Sequence, residues 1–235
     1  MFQNFVFILV VTFARLSKKL SKKFITVAEI LEFHLWVRGN FPKAKFFLRR
    51  EQAWWQISVF TKENDIRIIE LGVAWGYATN WFLTNAFPRT ALENQPQIKM
   101  DSFDLFTGMP RKWRNHDEGA FSNSGELPNI VDHRLTFHKG FIEETIQVLN
   151  LDQLKESTKI ILFDLDLYDP TLFAYQYLKA SLNPGDILYF DEAFDSDERE
   201  VIRSNLIREF EVAVVAYTPL ALALVIVCRK VSTDE

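Results

Sequence analysis

From residue 65 onward, short apolar runs alternate with stretches of helix length. The runs read IRIIEL, IKMDSF, RLTFHK, KIILFDL and DILYFDE. That rhythm predicts βαβ units, and therefore an α/β fold with a doubly wound, mostly parallel sheet covered by helices on both faces. The end of the chain departs from it. After the helix-like DEREVIRSNLIREF, the runs VAVVAY and ALALVIVCRK are separated only by a short connection holding Thr218 and Pro219. A parallel crossover needs more residues, so these two strands form a C-terminal antiparallel hairpin and bring the sheet to seven strands. Upstream, over residues 27–60, the apolar positions of AEILEFHLWV and EQAWWQISVF recur at helical spacing, with Gly39, Asn40 and Pro42 between them. Two or three helices are expected there. The chain thus divides into an N-terminal helical extension, residues 1–62, and an α/β domain, residues 63–235. Trp54 and Trp55 are adjacent and must point to different sides of their helix; packing is the simplest role for both, and contact of one ring with a partner or a ligand is the alternative. Residues 107–133 form the longest polar, irregular stretch, a length that in a compact domain marks a functional loop or lid.

The first residues need separate treatment. FVFILVVTFA, residues 5–14, is followed by Arg15, Lys18, Lys19, Lys22 and Lys23. Ten residues rise about 15 Å as a helix, half of a hydrocarbon core of about 30 Å, so the run is too short to span a membrane. The basic residues follow the run instead of preceding it, and no small-residue cleavage site is evident, which argues against a secretory signal. The expected role is docking on the domain or on a second copy of the chain, giving a homodimer. Peripheral contact of residues 5–23 with an anionic membrane surface is the alternative.

Composition narrows the classes further. With 235 residues and 48% hydrophobic content, the chain can bury a full core. A net charge of −4 and the lack of a long basic face argue against nucleic acid as a partner. Cys228 is the single cysteine, so neither an internal disulfide nor a thiolate zinc site can form, and a reducing cytoplasm is the expected location.

Three constellations carry candidate chemistry. In IIELGVAWGYATNWFL, residues 68–83, a strand ends in Glu70 and Gly72, and a helix follows after Gly76. Gly72 would let the chain turn off the strand, Gly76 would let the helix backbone approach a ligand, and Glu70 would offer a carboxylate below the gap. A carboxylate repels phosphate, and the spacing E-x-G-x-x-x-G is not the dinucleotide pattern G-x-G-x-x-G. A cationic ligand suits it better, which points to S-adenosyl-L-methionine; the alternative is that both glycines serve strand–helix packing alone. In FDLFTGMP, Asp104 closes the next strand, where a carboxylate can accept hydrogen bonds from both ribose hydroxyls, or merely cap the following turn. Finally, DLDLYDPT places Asp164 and Asp166 at one strand tip, and YFDE places Asp191 and Glu192 at the next. Neighbouring strands would bring these carboxylates together, where a hard divalent cation, Mg2+ by preference, would relieve their repulsion. Neutralisation by arginine or lysine, or by raised pKa values, is the competing arrangement.

Taken as an ordered set, ELGVAWGYAT, FDLFTGMP, HKGFIEETI, DLDLYDPT and PGDILYFDE resemble the motifs of the macrocin O-methyltransferase family over residues 66–194. A parallel sheet ended by an antiparallel hairpin also resembles the Rossmann-like sheet of class I methyltransferases, and differs from the usual dinucleotide-binding arrangement. The resemblance implies an S-adenosylmethionine-dependent, magnesium-dependent methyltransferase that acts on sugar hydroxyls in natural products. It implies Glu70, Gly72, Gly76, Thr79, Asp104, Gly140 and Phe141 at the cofactor, and Asp164, Asp191 and Glu192 at the metal. Two positions depart from the family: Glu192 stands where a second aspartate is frequent, and Gly185-Asp186 replaces Gly-Gly. The extension before residue 65 matches weakly, so the substrate is not inherited.

The expected reaction is attack of a small-molecule hydroxyl, activated at Asp164 through the metal, on the sulfonium methyl group. His116, in the long loop, is a candidate general base, and Trp113, Phe121, Arg111 and Arg114 are candidates to cover the pocket and meet the substrate. Two other classes remain: a catalytically silent subunit with the same fold, and a nucleotide-dependent oxidoreductase. No G-x-S-x-G elbow and no Walker-type loop is present, which sets hydrolase and kinase readings aside.

Overall fold

A computed structural model of the chain describes residues 18–61, 65–88 and 97–230, with side chains from residue 23 onward. The apolar run 5–14 and most of the basic cluster, with the dimer and membrane expectations attached to them, lie outside the described residues. Within them, no helix is long and apolar enough to cross a membrane.

The sheet has the seven expected strands: β1 (Asp65–Leu71), β2 (Gln97–Asp104), β3 (Leu135–Lys139), β4 (Thr158–Phe163), β5 (Ile187–Phe190), β6 (Phe210–Tyr217) and β7 (Leu222–Arg229). Their order is β3-β2-β1-β4-β5-β7-β6. The first five run parallel, and β7 is antiparallel to both β5 and β6. Side chains alternate between two apolar layers. Ile69, Leu71, Phe163, Phe190 and Leu222 enter one, and Ile66, Ile68, Ile160, Leu162 and Ile187 enter the other. Burial on both faces explains why the strands read as nearly continuous apolar runs.

Helices α1 (Lys18–Asn40) and α2 (Arg50–Phe60) form the extension. Phe33 and Val37 of α1 enter the first layer, whereas Ala53, Trp54 and Ile57 of α2 enter the second. The segment between them runs along the edge of the sheet: Phe47 N donates to Tyr217 O at 2.8 Å, and Tyr217 N to Lys45 O at 3.0 Å. The extension therefore covers edge strand β6 and clasps both faces. Trp54 is 2% exposed and packs on Trp81, Phe82 and Tyr189. Trp55, expected to pack as well, is instead half-exposed, because the helix can turn only one of two adjacent rings inward.

The remaining helices are short: α3 (Tyr77–Trp81, continued by a π-helical turn), α4 (Ile142–Thr145), α5 (Leu151–Leu154), α6 (Tyr168–Leu178), α7 (Ser196–Val201, also continued by a π-helical turn) and α8 (Ile207–Glu209). Asp186, a departure from the resembled pattern, acquires a reason here. Lys159 is fully buried on β4, and its Nζ lies 3.0 Å from Asp186 Oδ2 while donating to Leu154 O at 2.8 Å and Ser157 O at 2.9 Å. Asp186 also accepts from the backbone of Lys159 and Asn183. The pair fastens β4 to the turn that leads into β5.

Candidate active site

The strand order reverses between β1 and β4, and open α/β sheets bind ligands at the carboxyl ends of strands beside such a reversal. A cleft of about 850 Å³ lies there, walled by the ends of β1, β2, β4 and β5, by Arg50 of α2, and by the long loop before β3.

Glu70, near the end of β1, is 1% exposed and lines this cleft. Its Oε2 accepts from Thr79 Oγ1 and Ser102 Oγ, each at 2.6 Å, while Oε1 has no hydrogen-bond partner. Burial pushes its pKa up to about 7 against the pull of the two hydroxyls. A buried carboxylate held on one oxygen and unpartnered on the other lacks a donor. Thr79 is fully buried, so it positions Glu70 and is not a wall of the cleft.

Both glycines meet protein atoms. At Gly72 (φ +92°) a Cβ would fall 1.9 Å from the backbone oxygen of Asp164, so the missing side chain lets the ends of β1 and β4 touch. At Gly76 (φ +78°), which opens α3, a Cβ would meet Ile130 at 2.8 Å and Pro128 at 2.9 Å, both from the long loop. Gly72 lines the cleft, whereas Gly76 packs against the long loop between the cleft-lining Trp75 and Tyr77.

Asp104 lines the cleft as well. Its Oδ2 accepts from Val73 N at 2.7 Å and Ala74 N at 2.8 Å, and its Oδ1 from Phe106 N at 2.5 Å. Three amides take three of its roughly four lone-pair sites. The carboxylate shapes the turns after β1 and β2, which is the capping role. Gly140 and the half-exposed Phe141 line the cleft past the end of β3.

At the far wall, Asp164 and Asp166 follow β4, and Asp191 and Glu192 follow β5; all four line the cleft. Burial, reinforced by Asp191 and Asp166, raises the pKa of Asp164 well above the usual carboxylate range. Burial and Asp191 raise Asp166 to about 7, and burial and Asp191 raise Glu192 to about 9. Asp166 holds φ +61°, a strained backbone state for a residue with a side chain.

Two guanidinium groups serve this acidic wall. Arg50 Nη1 lies 3.0 Å from Asp191 Oδ2, and Tyr189 Oη donates to Asp191 Oδ1 at 2.5 Å. Arg114 pairs with both Asp195 and Glu29. Among the described residues, no three His, Cys, Asp or Glu side chains form a group that could hold a metal ion. The expected ligands Asp164, Asp191 and Glu192 do share one cleft, but both oxygens of Asp191 are engaged by Arg50 and Tyr189. With Arg50 on Asp191 and no such group among the described residues, the donor set as arranged does not fit Mg2+, and the guanidinium offsets part of the negative charge.

The long loop is tied down as a cover. Met109 and Ala120 are joined by a 2.8 Å backbone hydrogen bond, Met109 and Trp113 pack on Leu167, and Arg111 reaches Asp169 at 2.7 Å. His116 lines the cleft with its ring stacked on Trp113 and tilted against Phe121. Sequence reasoning missed Arg50, Tyr189, Ser102 and Glu198. Glu198 is fully buried beside the acids, with Oε1 unpartnered. Only Ser102 had a readable signal, because aligning the tips of β1 and β2 places it opposite Glu70.

Solved structures with the same fold include two methyltransferases. A calicheamicin methyltransferase, CalS11, is 20% identical, with 74% of this chain and 76% of that one covered at a TM-score of 0.51. The O-methyltransferase NovP is 15% identical, with 76% and 80% covered at a TM-score of 0.52. The chain thus has the class I methyltransferase fold. No protein-family model matches the sequence, and no curated protein matches it.

Proposed function

We propose that the protein is an S-adenosylmethionine-dependent O-methyltransferase acting on a hydroxyl group of a small molecule. The observation that carries the reading is the unpartnered oxygen of Glu70, a buried carboxylate beside a cleft of small-molecule size. A primary ammonium group, such as that of the methionine moiety, would satisfy it. Gly72 and the backbone that Asp104 shapes would seat the same moiety, and Gly140 and Phe141 would border the nucleoside.

When bound, S-adenosylmethionine supplies an electrophilic methyl group whose carbon–sulfur bond breaks as a carbon–oxygen bond forms, the electron pair staying on sulfur. The chain's own task is to place an acceptor hydroxyl in line, take its proton and keep water out. Asp164 and Asp166 face the cleft as a pair, and a pKa of about 7 at Asp166 suits a proton acceptor near neutrality. Trp113, His116 and Phe121 cover the acceptor end, where Arg111 and Trp75 also line the wall. No step is routed through a metal ion, because the described residues form no group of three His, Cys, Asp or Glu that could hold one.

The reading is tested by incubating the full chain with S-adenosylmethionine and pools of hydroxylated small molecules, and following products by mass spectrometry. A gain of one methyl group on oxygen supports it. Methyl transfer to nitrogen or carbon, or to nothing across broad pools while the cofactor binds, contradicts it.

A further inference from the structure

The acidic wall carries a guanidinium at the place where the strand-tip pattern leads one to expect a metal ion. Arg50 opens α2 and reaches across to Asp191 at 3.0 Å. Its Cζ lies 5.6 Å from the ring centre of Trp54 and 5.5 Å from that of Tyr77. Both rings are fixed in turn. Trp54 is buried against Tyr189, the residue that donates to the other oxygen of Asp191, and Tyr77 Oη donates to Glu51 at 2.7 Å. The guanidinium is oriented by a carboxylate at its edge and by two aromatic rings, with its side chain 46% exposed at the mouth of the cleft. A divalent ion at Asp191 would have to share the carboxylate with the bonds from Arg50 and Tyr189, and would sit a few ångström from a positive charge.

We propose that Arg50 is the resident cation of this acidic wall, that it keeps divalent metal away from Asp164, Asp191 and Glu192, and that methyl transfer here needs no metal. The last clause rests on the methyl-transfer reading. The statement about binding does not.

The experiment titrates Mn2+ into the chelator-treated full chain by calorimetry, comparing wild type, Arg50→Met and Arg50→Lys, with circular dichroism confirming that each folds. Methionine keeps an apolar stem against Trp54 and Tyr77 and removes the charge; lysine keeps the charge. Wild type and Arg50→Lys should show no saturable binding in the micromolar range, and Arg50→Met should bind at least about tenfold more tightly, the size of effect expected when a directly contacting charge is deleted. Adding Asp191→Asn to Arg50→Met should abolish the gain. Micromolar binding to wild type that Asp191→Asn removes, or no gain in Arg50→Met, overturns the proposal. In a parallel assay, EDTA should leave wild-type methyl transfer unchanged, and loss of turnover with EDTA that Mn2+ restores overturns the metal-free clause. Absence of methyl transfer under every condition counts against the methyltransferase reading, while the titration still decides the role of Arg50.

Discussion

At the scale of single residues, the account turns on where carboxylates are buried and what faces them. Glu70 has a folded-state pKa of about 7 because burial disfavours its charge, well above the 4.5 of an exposed glutamate. The folded state therefore binds this proton more tightly than the unfolded one. The stability this contributes is fully present below about pH 4.5 and is lost as the pH rises through about 7. Replacing Glu70 with Gln should flatten that part of the profile, as read from denaturation midpoints of the ligand-free protein between pH 4.5 and 8. A cationic ligand demands the ionised form, so its affinity should rise over the same interval in wild type alone. The acids at the opposite wall have a different task. Asp164→Asn and Asp166→Asn should each lower kcat by about 10²- to 10⁴-fold while leaving cofactor affinity nearly unchanged, which single-turnover kinetics and calorimetry would separate. Residue identity at a strand tip was legible in the sequence, but its partners were not. Asp104 and Glu70 are both strand-end carboxylates that line the cleft, yet one accepts from three amides of its own chain and the other keeps one oxygen unpartnered.

Between elements, the contacts that fix the site join segments far apart in the chain. Gly72 lets β1 and β4 meet, so Gly72→Ala should push the two strand ends apart, lower the thermal midpoint and weaken cofactor binding together. The buried Lys159–Asp186 pair holds β4 to the start of β5. Deleting only the lysine, as Lys159→Met, strands a carboxylate in the core and should cost about 3–5 kcal/mol in denaturant unfolding. The strands and the terminal hairpin were readable because alternation and burial on two faces leave a periodic trace. Pairs such as Arg50 with Asp191, or Arg114 with Asp195 and Glu29, leave none, since each forms only after the topology has brought distant segments together.

Across the whole molecule, the extension, the sheet and the long loop form one enclosure. Helices α1 and α2 clasp opposite faces of the sheet, α2 delivers Arg50 to the cleft, and Glu29 of α1 anchors the loop through Arg114. Arg114→Ala should loosen that cover, raising KM for the acceptor and speeding proteolysis of the loop, with little effect on the global midpoint. The central claim is that this enclosure opens onto a carboxylate awaiting a cationic cofactor. Calorimetry of the full chain at pH 8 with S-adenosylmethionine, and separately with NAD, tests it most directly. The account predicts saturable binding of S-adenosylmethionine that Glu70→Gln weakens by about tenfold or more, with no binding of NAD. Preference for NAD, or S-adenosylmethionine affinity indifferent to Glu70, would contradict it.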